Sequence, residues 1–563
     1  MATDSRSGNA GDIQLDAFGD IIPGEIISTI YSSDPLARGG DITIVSENGV
    51  VRVENNHTIR SRTYGAGKGG DINIEAQSIF ISNNSRLSTT TFGQGDAGSV
   101  NIVAYDTVTV DNDSRVFSQV NTQGEGDGGS INITTGSLSV NTGASLSAPT
   151  FGQGNAGSVN IEALDQVSFD RGFVLSRVEQ EAVGQGGDIN ITTGSLSVTN
   201  GARLNAGTSG QGNGGRVIIN ARDHVSFDGF NGLPTAALSN VEPGAKGNSG
   251  GVSITAGSLS VTNGALIEAR TRGEGNAGNI DITVREQVDF NDSSNGWISG
   301  AYSTVEQTAT GNGGNINIEA KSISLANRAA LGVNTQGQGN AGTINIQSEQ
   351  LSLSSNAVIG GDLGYGAIGR GGDINLDVKG TLSLIGGETA PTGESTRITL
   401  GVLTGGTGFG GELNIRAGSL VLTDGAIIKN STQGQGDAGD IYINADVVDI
   451  SGSVPSSGLP SGLFTSTDTT FDAGDIIIDT QTFRIADGAA LSARSKGDGQ
   501  GGDITVNVGS TFEATGGGQL ITTTFGQGQA GDIFVNATDQ ITISGSDPNY
   551  ANRIAKFPNP IDP

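Results

Sequence analysis

The sequence predicts an all-β chain, a parallel β-helix of about 18 coils of roughly 28–39 residues each. Three observations point there. First, a phrase of one glycine, one variable residue and two branched apolar residues set one apart recurs along the chain. It opens at Gly11, Gly40, Gly70, Gly98, Gly129, Gly157, Gly187, Gly215, Gly250, Gly278, Gly314, Gly342, Gly372, Gly411, Gly439, Gly474, Gly502 and Gly531. Second, apolar residues alternate with Asn, Thr, Ser and Asp inside each short run, the period of a strand with one face in and one face out. Third, glycine supplies 93 of 563 residues, a density that excludes stable helix, and no 3.6-residue pattern competes.

Each element follows in order within one repeat. Seven steps, opening at Gly70, Gly129, Gly187, Gly250, Gly314, Gly411 and Gly474, have the same length of 28 residues. In the copy at Gly187, Ile189 and Ile191 make a first strand, Leu196 and Val198 a second, and Leu204 anchors a third. The same slots hold Ile72, Ile74, Ile79, Ile81 and Leu87 earlier, and Ile476, Ile478, Phe483, Ile485 and Leu491 later. Asn200-Gly201, Asn263-Gly264, Asp424-Gly425 and Asp487-Gly488 separate the second strand from the third. Asn and Asp tolerate left-handed backbone there and glycine adopts it without steric cost. Asn83, Asn327 and Thr142 take the first of these positions in other copies, so a ladder of stacked polar side chains is expected along this edge. One repeat buries too little to stand alone; stability must come from stacking, strand on equivalent strand, parallel and in register.

Residues 1–545 are therefore expected to form one continuous β-helix. It carries insertions at 289–311, which holds the only tryptophan, at 385–408 and at 451–472, followed by a Pro-rich tail or cap at 546–563. Loops on a repeat scaffold commonly gather on a binding face.

A net charge of −29 disfavours nucleic acid and anionic membrane as partners. The absence of cysteine excludes disulfides and thiolate metal sites. No stretch has the length and apolarity of a membrane span, and no signal peptide precedes Asp4-Ser5-Arg6, which suggests a fragment of a longer protein. Gly93-Gln94-Gly95-Asp96-Ala97-Gly98 fits the spacing of a dinucleotide-binding loop, but leads into another strand where such a site needs a helix. The loops Gly124–Gly129 and Gly497–Asp503 offer hard oxygens for calcium, yet the G-G-x-G-x-D nonapeptide is not reproduced. No cofactor is expected, with calcium at these turns the minor alternative. The two histidines, His57 and His224, stand far apart without matching partners, so no catalytic residue is assigned and an enzyme is not expected.

With GSLSVTNGA, FGQGDAG, the AxDxVxF run (Ala163–Phe169) and SGLF in view, the chain resembles the repeat region of cyanobacterial filamentous-haemagglutinin-like exoproteins, passengers of two-partner secretion. The resemblance implies a right-handed β-helix, an outer-membrane transporter as export partner, an extracellular or cell-surface location and an adhesive role. The family's secretion domain is missing from this sequence. The expected function is extended multivalent contact with cells, surfaces or glycans, with Trp297 and Tyr302 as candidate contact residues. The rival reading is a polysaccharide-active lyase or hydrolase, favoured if acidic and basic residues cluster in a groove on one strand face.

Overall fold

In a computed structural model, the structure describes residues 1–230, 234–387, 395–454 and 457–547. Every regular element among them is a β-strand, and the strands stack as successive coils of a parallel β-solenoid. The chain divides into two compact units, Met1–Ser260 with Gly264–Ile280, and Val261–Asn263 with Asp281–Pro563. The tail beyond residue 547 and parts of the second and third insertions lie outside the described residues.

The first unit shows how the slots meet. Ile131 pairs with Val159, Val159 with Ile189, Ile189 with Val217 and Val217 with Val252, all parallel and all without solvent exposure. In the second unit Ile316, Ile344, Ile374, Leu413, Ile441, Ile476 and Ile504 form the same kind of column. Within its interior the rings of Phe483 and Phe512 stack at 5.2 Å.

One expectation needs correcting. The first two strands of a coil are in many copies one bent strand, as in Ile72–Ile81, Ile131–Asn141 and Ile476–Ala486. They separate in others, as in Ile189–Thr193 and Ser195–Thr199. The bend is a register irregularity at Ala76/Ser78 and Thr135/Ser137. A sixth inward position sits there, filled by small residues such as Ala76, Ala104, Thr135, Ala163 and Thr193, all buried. Where it is threonine the hydroxyl bridges the corner, as from Thr135 Oγ1 to the Ser137 carbonyl at 3.2 Å.

The turns behave as the sequence predicts. Asn200 (φ 56°) and Gly201 (φ 83°) are left-handed, as are Asp487 (φ 55°) and Gly488 (φ 79°). The polar ladder along this edge exists in pieces, with Asn112 Nδ2 donating to Asn83 Oδ1 at 3.3 Å and Asn200 Nδ2 to Asp170 Oδ1 at 2.7 Å. A longer one runs along the middle of the first strand. There Asn101, Asn132, Asn160 and Asn190 each donate at 2.8 Å to the asparagine one coil below, starting from Asn73.

The glycine that opens most of the phrases is required by the stacking. A Cβ on Gly157 would lie 1.9 Å from the carbonyl oxygen of Gly129, and the same contact recurs from Gly98 to Gly70 at 2.0 Å and from Gly439 to Gly411 at 2.0 Å.

Candidate functional site

The third strand of each coil builds a second parallel sheet whose outer face carries the least repetitive side chains. In the first unit it comprises Arg86–Thr91, Arg115–Val120, Ser145–Ser147, Phe173–Leu175 and Arg203–Asn205, among others. Register sets Arg115, Ser145 and Phe173 in one column and Phe117, Ser147 and Leu175 in the next. Two serines thus lie between coils that carry rings, roughly 10 Å apart across the intervening strand. The consequence is an open groove of about 470 Å³, with Ser145 and Ser147 as its floor. Phe117 forms one wall, Phe173 and Leu175 the other, and Arg115, Gln119 and Glu179 bring charge and an amide to the rim. The Glu179 carboxylate accepts from Arg177 at 2.8 Å, which fixes its direction. Flat apolar faces beside a few fixed polar groups suit a ligand that presents both apolar faces and polar groups.

Nearby, Tyr31, Tyr64 and Phe92 form an exposed stack at 5.0 and 4.7 Å, one ring per coil, with the Arg62 guanidinium 6.0 Å from the Phe92 centroid.

In the second unit the same outer face gathers charge. Register places Thr399 beside Lys429, and Ser466 beside Arg494. The Thr399 hydroxyl donates to Asp362 at 3.3 Å, and Lys496 pairs with Asp468 at 3.5 Å. Burial pushes the Asp362 carboxyl up to about 6, against the downward pull of Thr399, Arg397 and Lys429. Burial also lowers Lys429, with Asp468 opposing. Arg494 is only 3% exposed although it points outward.

The two candidate contact residues sit in the first insertion. Ser293–Ser294 and Trp297–Ile298 form an antiparallel hairpin around Asn295 (φ 50°) and Gly296 (φ 83°), a turn chemistry that suits a two-residue loop. Trp297 is 42% exposed at its tip. Tyr302 instead lies flat on the sheet: a Cβ on Gly300 would come within 2.9 Å of its hydroxyl, and one on Gly332 within 3.2 Å of its ring. The structure does not bring either residue into the groove.

The turns considered for calcium have a structural use for their carboxylates. Asp127 accepts the backbone N–H of Asn155 at 2.7 Å, and Asp503 that of Asp532 at 2.7 Å. Among the described residues no three His, Cys, Asp or Glu side chains converge as metal ligands. Gly93–Gly98 leads into the strand Val100–Val110, and a Cβ on Gly95 would lie 2.0 Å from the Gly67 carbonyl oxygen. His224 is exposed, with Nδ1 2.8 Å from Ser258 Oγ.

No family model, curated protein or solved structure matches the chain.

The groove escaped the sequence reading. Its signal was present in the pair Phe117 and Phe173 flanking the short residues of Ser145-Leu146-Ser147, but only alignment of three successive copies brings those positions together.

Proposed function

We propose that the chain is a structural and adhesive scaffold that contacts glycans, with the groove between Arg115 and Glu179 as one discrete contact. The observation that supports this reading is the groove walled by Phe117, Phe173 and Leu175 and floored by Ser145 and Ser147. Weak contacts summed along many coils would give the avidity an adhesin needs. Placement outside the cell, export through a two-partner transporter and kinship with filamentous-haemagglutinin-like exoproteins belong to the same proposal, and rest on the repeat motifs.

Binding to immobilised glycans tests it. Replacing both Phe117 and Phe173 by alanine should weaken binding about tenfold, as two stacking contacts of about 0.5–1.5 kcal/mol each are lost. Trp297→Ala run alongside separates the groove from the hairpin tip: a loss confined to Trp297→Ala would move the contact there, and no loss in either would retire both assignments.

A second reading, polysaccharide cleavage, is favoured by Asp362 beside Arg397 and Lys429 on one strand face. Release of new reducing ends from acidic polysaccharides, abolished by Lys429→Ala, would support it. The absence of product with every polymer offered would remove it.

A further inference from the structure

On the third-strand sheet of the first unit, charge runs against the rest of the chain. Thr58–Thr63, Arg86–Thr91 and Arg115–Val120 pair parallel and in register on three successive coils. Nine of their residues face outward; four of the nine are Arg60, Arg62, Arg86 and Arg115, and none is Asp or Glu. The chain as a whole carries −29. A group of guanidiniums on so acidic a molecule acts locally, within a screening length of about 8 Å at physiological salt.

Register sets the spacing. Arg115 lies directly on Arg86, one strand spacing of about 4.8 Å away at the backbone. Arg60 and Arg62 belong to the preceding coil, with Ser88 next to Arg60 and Thr90 next to Arg62. Ser88 and Thr90 are each only 5% exposed although they face outward, so longer side chains on the neighbouring coils flank and shade them. Like charges on adjacent strands destabilise a sheet, and little within the molecule offsets them here. Among the described residues Arg62, Arg86 and Arg115 meet no carboxylate, and only Arg60 does, with Glu25 at 3.3 Å. That one carboxylate does not saturate it, since Arg60 Nε has no partner.

The arginine face runs into the groove. Arg115 stands at the groove's rim, and Ser145 and Phe173 continue its column. From the Arg60 coil to the Phe173 coil the register counts four strand steps, about 19 Å. A ligand that spans this face must bring oxyanions for the forked guanidiniums and flat apolar faces for the rings. Carboxylates already seat on arginines of this sheet, Glu25 on Arg60 and Glu179 on Arg177 at 2.8 Å. A sugar chain that carries carboxylates supplies both kinds of group in one polymer.

We infer that the glycan engaged by this face is a carboxylate-bearing polysaccharide, its acidic groups held by Arg62, Arg86 and Arg115 and its ring faces against Phe117 and Phe173. The inference rests on the glycan reading above and narrows it to one ligand class.

Retention on immobilised polygalacturonic acid, set beside the same polymer fully methyl-esterified, tests it. The wild-type chain should bind the acid form at least tenfold more tightly, and rising salt should remove that advantage, because exposed charge pairs are screened. Arg62→Gln with Arg86→Gln should weaken binding to the acid form about tenfold, as two charge-assisted contacts are lost, and leave the ester unchanged. Arg216→Gln with Arg222→Gln removes the same charge from either end of the first strand Val217–Ala221 and should alter neither. Equal binding of acid and ester would overturn the inference, as would an equal loss in the two arginine pairs or a preference for a sulfated polymer. Phe117→Ala with Phe173→Ala should weaken both forms, so the groove is scored separately from the arginines. No retention on the acid form by a chain that binds neutral glycans would overturn this inference alone. No retention on any glycan would remove the glycan reading with it.

Discussion

Replacing Gly157 by alanine should unzip the solenoid locally. The added Cβ would stand 1.9 Å from the Gly129 carbonyl oxygen and 2.6 Å from its carbon, both main-chain atoms that no rotamer change can move. Relief requires the two coils to part by about 1 Å, a fifth of the strand spacing. Around that point the coils are joined by the backbone bonds from Gly128 N to Asn155 O at 2.9 Å and from Ile131 N to Ser158 O at 2.9 Å. The side-chain bond from Asn160 to Asn132 at 2.8 Å joins them too. Losing two or three such bonds at about 1 kcal/mol each, together with about 1–3 kcal/mol of overpacking, gives a cost of about 3–6 kcal/mol. Because each coil leans only on its neighbours, the damage should be regional. Hydrogen exchange should accelerate across residues 126–170 and change little in the second unit, and the thermal midpoint should fall. Gly24→Ala is the matched control, since nothing lies within 4 Å of its Cβ position and its φ is not positive. Equal stability of the Gly157 and Gly24 variants would refute the claim that carbonyl contact, and not chain flexibility, dictates these glycines.

Two further outcomes follow from named contacts. Asp362 binds its proton more tightly folded than unfolded, so its contribution to stability is fully present below the ordinary value of 3.8 and is lost as pH rises toward about 6. Asp362→Asn should therefore melt close to wild type at about pH 4 and above it at about pH 7, and a difference independent of pH would refute this. Asn132→Leu leaves Asn101 Oδ1 without its donor and Asn160 Nδ2 without its acceptor. It should cost about 1–2 kcal/mol in denaturant unfolding, and an unchanged transition midpoint would remove the ladder from the account of stability.

Much of the fold is legible in the sequence because each level of the pattern repeats the same demand. The slots of Ile131, Ile189 and Val252 are fixed by alternation alone, and Asn200-Gly201 by backbone chemistry alone. The bent strand was less accessible. Thr135 and Thr193 look like outward polar residues, yet each turns inward because its hydroxyl can bond a backbone carbonyl at the corner. The mid-strand asparagine ladder was spelled out in the recurring D-I-N-I of Asp71–Ile74 and Asp188–Ile191, but its partners sit 28–31 residues apart and appear only once register is known. The groove required still more, namely which residues of three coils are small and which are rings. Trp297 was conspicuous for a different reason, its uniqueness, and rarity in composition carries no information about neighbours.

The uniform opening glycine has a bearing on how such a molecule changes over generations. Excising residues 187–214 would set Val217 and Ile219 directly above Val159 and Ile161, pairs of the same kind as those they replace. Loss or duplication of an entire storey therefore leaves the joint intact, while a single-residue slip would turn every aliphatic group outward. Variation among natural copies of this architecture should accumulate as whole-turn length differences, with reach as the quantity under selection and the cross-section held constant.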